Sequence, residues 1–311
     1  MKIRCSSFLL AGMLIFAGCD SPVAVDDWSL DHPDVRDPSL FDPSYRVSSR
    51  PGLLPADRAR PVIIAVHGYS ASTFEWIEFR EYAEANSEAL VSLVLLGAHG
   101  RSLEEFRGSS WREWGEPILT EYQALVAQGY TNISVAGSST AGALILEQLA
   151  GGQYDTRAPR YFFFIDPIVV ATDKSLSLIP LLRHLVSNVV SEATEEEAAH
   201  WYTNRPTQTL AQLNNLIGRV RSQLAGGIRL PPQSRAKVYK TTEDPTADPV
   251  SALLIYRGLR TAEGEAVDVQ MLRSRLHVFT RLRGRDPAAV SDADRRHQME
   301  AFQEMIQRVT H

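Results

Sequence analysis

Ile133-Ser134-Val135-Ala136-Gly137-Ser138-Ser139-Thr140-Ala141-Gly142, followed by the helix-forming run Ala143 to Leu149, decides how this chain is read. Ile133 to Ala136 has the apolar character of a short strand, so two serines sit on a turn from strand to helix. A serine hydroxyl is a weak nucleophile until a neighbouring base takes its proton. A sharp turn presents it well, but only if the residues two before and two after are small enough to clear the adjoining backbone. Around Ser139 these are Gly137 and Ala141; around Ser138 they are Ala136 and the branched Thr140, a poor fit. Ser139 is the candidate nucleophile, with Ala141 standing in the last position of a G-x-S-x-G pattern.

Upstream, Pro61-Val62-Ile63-Ile64-Ala65-Val66 is a continuous apolar run of the kind found in strands buried on both faces, and it leads into His67-Gly68-Tyr69-Ser70. A helix-like segment follows, then a second strand at Leu93-Val94-Leu95-Leu96, ending in Gly97-Ala98-His99-Gly100-Arg101-Ser102. A further helix is expected over Trp111 to Gln128. Strands alternating with helices argue an α/β fold with a mostly parallel central sheet flanked by helices. Acyl transfer needs two backbone N–H donors aimed at the developing oxyanion. Thr140, the residue after the nucleophile, is expected to supply one, and Tyr69, through its backbone rather than its phenol, the other.

The motifs His67-Gly68-Tyr69, Gly97-Ala98-His99-Gly100-Arg101-Ser102, the Trp111…Trp114 helix start and Gly137 to Gly142 together resemble the monoacylglycerol lipase and bacterial carboxylesterase group of the α/β-hydrolase superfamily. The second motif is one residue longer than that group's Gly-His-Gly. The resemblance covers about residues 60 to 311 and implies hydrolysis of acyl esters by serine chemistry, with no metal or cofactor. It also implies the chain order Ser, then acid, then His. The strand Ala236 to Lys240 runs into Thr241-Thr242-Glu243-Asp244, which matches the group's Gly-x-x-Asp with Thr for Gly and makes Asp244 the acid. Asp248 is the rival, Glu243 a more distant one. His277, in Leu276-His277-Val278-Phe279-Thr280, matches the group's His-Val-x-Thr and is the expected base. His67 and His99 lie in loops near the site, His297 lies in a charged helix, and His311 ends the chain.

After the strand Tyr161 to Ile165 comes an insertion, about residues 167–231, expected to form a helical cap. Its helices are expected over Leu176 to Val190, Glu192 to Trp201 and Gln208 to Leu224, and Leu178, Ile179, Leu181, Leu182 and Trp201 could line an acyl pocket. Taken singly, each of those residues reads better as packing that holds the cap on the core, so no pocket residue is assigned.

Composition narrows the class. The chain has 311 residues, 44% hydrophobic and 22% charged, enough for one filled α/β core. A net charge of -5 supplies no basic footprint for nucleic acid. The two cysteines, Cys5 and Cys19, both lie at the N-terminus. There Lys2 and Arg4 precede the apolar stretch Phe8 to Ala17, the layout of an export signal too short to span a bilayer comfortably. Phe16-Ala17-Gly18-Cys19 resembles a bacterial lipobox, in which the cysteine becomes the lipidated first residue of the mature chain. That resemblance implies a signal peptide over 1–18, a lipidated tether over 19–58 rich in Asp, Pro and Ser, and a catalytic domain over 59–311, held on the periplasmic side of a membrane by acyl chains such as palmitate on Cys19. Asp20 resembles an inner-membrane retention signal of enteric bacteria. Two other readings stay open: a hydrolase of amides or thioesters, and a lipoprotein that uses the fold only to bind.

Overall fold

The structure, a computed structural model, describes residues 48–51, 54–154, 157–173, 188–191 and 193–311. The export segment, Cys19, most of the 19–58 tether, and Leu178, Ile179, Leu181 and Leu182 lie outside the described residues. In chain order the strands are β1 (Val62–Val66), β2 (Leu90–Val94), β3 (Ile133–Ser138), β4 (Tyr161–Ile165), β5 (Asn188–Val190), β6 (Asn204–Pro206), β7 (Ile228–Arg229), β8 (Arg235–Thr241), β9 (Leu259–Arg260) and β10 (Asp268–Leu272). The α-helices are α1 (Ile77–Asn86), α2 (Leu103–Gly108), α3 (Trp111–Ala127), α4 (Thr140–Ala150), α5 (Glu195–His200), α6 (Thr207–Gly226), α7 (Val250–Gly258) and α8 (Asp292–Thr310).

Six strands make one sheet in the order β10-β8-β4-β3-β1-β2, with every neighbouring pair parallel. Side chains alternate between two cores. Val62, Ile64, Val66, Phe162 and Phe164 enter one, beneath α3, α4, α6 and α7; Ile63, Ala65, Phe163 and Ile165 enter the other, beneath α1 and α8. Burial on both faces is why β1 and β4 read as unbroken apolar runs rather than alternating ones. Each buried Phe or Ile contributes about 1.5–3 kcal/mol, so these strands hold the sheet's register firmly.

The second strand begins three residues earlier than the apolar run suggests. Ser92 hides that start: it is buried inside β2 and donates its hydroxyl to Glu121 Oε1 at 2.6 Å. Part of the lead-in also packs on the domain. Ser49 pairs with Leu93 of β2 through two backbone hydrogen bonds of 2.8 and 2.9 Å, and Arg50 pairs with Glu121.

In the insertion, the helices expected over 192–201 and 208–224 are α5 and α6. The helix expected to run on to Val190 does not reach it. Asn188-Val189-Val190 is extended and pairs antiparallel with Asn204 to Pro206, a conformation that suits two consecutive β-branched residues. Among the described residues no helix is long and apolar enough to cross a membrane.

Strand order reverses between β1 and β3, which flank a crevice at their carboxyl ends, where α/β sheets place their ligands. Each sheet strand delivers a residue to that rim: Tyr69 follows β1, His99 β2, Ser139 β3, Asp166 β4, Asp244 β8 and His277 β10.

Candidate active site

Ser139 sits between β3 and α4 with φ 50° and ψ -113°, a strained backbone for a residue with a side chain. The turn is as tight as its small flanks imply. A Cβ on Gly137 would stand 2.5 Å from Ile145 Cδ1 and 3.0 Å from the Ala141 carbonyl carbon. Ala141, in the position where glycine is usual, is fully buried.

The three residues read from the sequence as nucleophile, base and acid meet. His277 Nε2 lies 2.8 Å from Ser139 Oγ, and His277 Nδ1 lies 2.8 Å from Asp244 Oδ2. With Asp244 accepting from Nδ1–H, the Nε2 lone pair faces the serine hydroxyl. Asp244 Oδ1 accepts the backbone N–H groups of Thr246 and Ala247 at 2.7 and 3.0 Å. Burial alone would raise the Asp244 pKa. Its interactions with His277 and Lys240 outweigh burial and hold it well below the ordinary carboxylate range. Asp248 instead accepts from the Val250 N–H at the start of α7, and Glu243 pairs at the surface with Arg273 and Arg275. Ser138, the rival serine, hydrogen-bonds Glu75 and the Val66 carbonyl behind the turn.

Lys240 was read only as part of a strand. It is fully buried, and its Nζ donates to Asp244 Oδ2 at 2.5 Å and to Asp166 Oδ1 at 3.0 Å. Asp166, with φ 45°, also accepts Thr241 N–H at 2.8 Å and Phe279 N–H at 3.2 Å. The ends of β4, β8 and the His277 loop are thus tied through one ion cluster. Val278, beside His277, has φ 55°, a backbone that a β-branched residue holds only under constraint. A lysine inside a buried strand, four residues before an aspartate, was the available signal.

The β1 loop leaves one donor open. Gly68 N–H donates to Glu75 Oε1 at 2.8 Å, Ser70 N–H to His99 Nε2 at 3.2 Å and Ala71 N–H to the Gly68 carbonyl at 3.3 Å. Tyr69 N–H has no acceptor among the described residues, and its phenol bonds Thr209 Oγ1 at 2.6 Å, away from the backbone. Thr140 opens α4, where a first-turn N–H has no acceptor within its own helix.

His67 and His99 are staples for these loops. His67 bridges the Gly68 carbonyl (2.8 Å) and Leu96 N–H (3.0 Å), and His99 bridges the Gly97 carbonyl (3.0 Å) and Ser70 N–H. Each ring donates once and accepts once, so each is neutral. Burial takes the His67 pKa well below its usual value and that of His99 down to about 4. The longer second motif is accommodated by left-handed Ala98 and Gly100, with Gly97 so close to Glu113 that an added Cβ would meet its carbonyl oxygen at 2.0 Å.

A cavity of about 520 Å³ opens above Ser139 and His277. Tyr69, Thr140, Trp201, Leu210 and Leu213 line it, so Trp201, which taken singly read better as packing, faces the pocket. Arg205, Arg281 and Arg285 line it too. The sequence reading passed over these; the run Arg281-Leu282-Arg283-Gly284-Arg285, directly after the base, was the signal for two of them.

No family model matches the chain, and no curated protein matches it. Solved structures do. The chain is similar to a metagenome-derived lipolytic enzyme described with LipS and LipT, at a TM-score of 0.64 and 18% identity, over 85% of this chain and 98% of that one. It is similar to a soluble variant of the monoglyceride lipase of Saccharomyces cerevisiae, at 0.61 and 11%, over 81% and 86%. It is also similar to the monoacylglycerol lipase of Paleococcus ferrophilus, at 0.54 and 10%, over 80% and 96%. Likeness at these identities shows the fold, which is that of the α/β-hydrolases.

Proposed function

We propose that this chain is a serine hydrolase that cleaves carboxylic esters, of the monoacylglycerol lipase or carboxylesterase kind, through Ser139, His277 and Asp244. The observation that carries this reading is the pair of 2.8 Å contacts from His277, one to each partner. In this reading His277 takes the Ser139 proton as Oγ attacks the ester carbonyl, and Asp244 orients the ring and stabilises its cation. The Tyr69 and Thr140 N–H groups bind the oxyanion. His277 then protonates the leaving alcohol, and water, deprotonated by the same ring, releases the acid from the acyl-enzyme. The lipases and esterases that share the fold support ester chemistry.

Hydrolysis of 4-nitrophenyl esters from acetate to palmitate by the chain and by its Ser139→Ala variant tests the reading. Turnover that vanishes in the variant supports it; turnover that survives overturns it. The reading of residues 1–58 is proposed alongside: export, processing before Cys19, lipidation there, and tethering to a membrane on the periplasmic side. Incorporation of labelled palmitate, lost in Cys19→Ala, is the expected outcome. A chain that stays unlabelled in the bacterial host would contradict it.

A further inference from the structure

Four arginines line the cavity above Ser139; Arg275 is exposed and pairs with Glu243, while Arg205, Arg281 and Arg285 have one paired carboxylate among them within the described residues, Glu197. Arg281 is buried, lies 4.6 Å over the Trp201 ring and pairs with Glu197 at 2.6 Å, while its Nε, also buried, has no partner among the described residues. Arg285 is held by carbonyls instead of carboxylates. Its Nε donates to the Arg281 carbonyl at 2.7 Å, and one terminal nitrogen donates to the carbonyls of His277 and Val278. Arg205, on the cap ribbon, has a buried Nε with no partner among the described residues and no ion pair there.

The carboxylates of the same cavity are committed elsewhere or stand at its edge. Glu75 holds Gly68 N–H and Ser138, Glu197 holds Arg281 and Thr194 N–H, and Asp173 is exposed. Burial depresses the pKa of Arg205, and burial followed by the charge of Arg281 brings that of Arg285 down to about 10, so both remain cationic at neutral pH.

A guanidinium removed from water without a counter-ion is costly to the fold. Its planar fork matches a carboxylate or a phosphate better than any neutral group. Arg285 is fixed by three carbonyls beside the base, so its remaining donors are oriented before any ligand arrives. We propose that the Arg205–Arg281–Arg285 wall is an anion subsite, and that the ester this enzyme takes carries a carboxylate or phosphate on its acyl or its alcohol portion. The inference deepens the serine-esterase reading and rests on it for the word ester. The anion subsite itself can be tested without turnover.

The test is calorimetric titration of the full chain carrying Ser139→Ala. The probes are monomethyl glutarate, an anion on the acyl side, its neutral partner dimethyl glutarate, and glycerol 3-phosphate, an anion on the alcohol side. The subsite predicts that at least one anion binds tenfold or more tighter than dimethyl glutarate, with the better of the two telling which side carries the charge. It also predicts that Arg205→Gln removes most of that advantage, and that the advantage shrinks with added salt. Equal binding of anionic and neutral probes, or an advantage untouched by both Arg205→Gln and Arg285→Gln, would overturn it. Kinetics then separates the two claims. Ser139-dependent turnover of 4-nitrophenyl valerate with no anion preference in binding sinks the subsite and leaves the esterase. Anion binding with no turnover of any ester sinks the esterase and leaves the subsite.

Discussion

The rim of the sheet and the cap above it are built on opposite terms. At the rim each reacting side chain has its partners: Ser139 has His277, His277 has Asp244, and Asp244 has Lys240 and two backbone N–H groups. In the cap, Asn188, Asn204 and Arg205 carry buried polar atoms with no partner among the described residues, and Val189 and Val190 are exposed. A satisfied network fixes geometry, which the chemical step requires. Of the cap residues with unsatisfied atoms, Arg205 lines the cavity, where what enters can stabilise it. In the proposed reading the rim sets the reaction, and the cap sets what reacts.

Rim changes should therefore abolish turnover whatever the ester. Ser139→Ala or His277→Ala is expected to lower kcat by on the order of a millionfold, read on 4-nitrophenyl butyrate. Asp244→Asn should cost about 10⁴-fold, because the wrong tautomer of His277 then faces Ser139. Asp248→Asn, at the start of α7, should stay within about threefold. The reverse ranking would place the acid elsewhere and break the comparison at its centre.

Lys240→Met tests whether the rim is also a stability element. It leaves Asp166 and Asp244 buried without their shared cation, with an expected loss of about 3–5 kcal/mol in urea unfolding. Adding Asp166→Asn should restore part of it. A neutral result would mean that the cluster is dispensable to the framework.

The two histidine staples predict a pH dependence of stability. Both are held neutral in the fold, with His99 at about 4 against 6.5 when unfolded. Their contribution is complete above pH 6.5 and is lost as pH falls toward 4, by up to about 1.4 kcal/mol per pH unit for each ring. Urea unfolding between pH 7 and 4.5 should show that slope, and His99→Gln should flatten it. The most selective effect belongs to the cap: Arg205→Gln should remove most of the tenfold preference for anionic over neutral probes in binding.

The same contrast explains what could be read without coordinates. Gly137, Ser139 and Ala141 are legible because a tight turn tolerates few residues, and β1 and β4 because burial on both faces leaves an apolar run. His277 and Asp244, proposed as base and acid, were picked out by their neighbours, Val278 to Thr280 and Thr241 to Glu243. Polar atoms used inside the core were not legible. Ser92 concealed the start of β2, and Lys240 resembled an ordinary strand residue although Asp244 follows four residues on; its other partner, Asp166, comes from the end of β4. In the cap, an apolar stretch is compatible with helix or strand, and tertiary pairing with Asn204 to Pro206 decides for strand at Val189 and Val190. Arg281 and Arg285 were passed over: the partners of Arg285 are carbonyls, and those of Arg281 are the Trp201 ring and Glu197, a carboxylate distant in sequence.

The most direct test of the central claim is to react the chain with a fluorophosphonate probe and map the adduct by mass spectrometry, beside the His277→Ala variant. The account predicts a single phosphonylated residue, Ser139, formed rapidly in the parent chain and orders of magnitude more slowly without His277. An adduct on another residue, or labelling of Ser139 at an unchanged rate when His277 is gone, would contradict it.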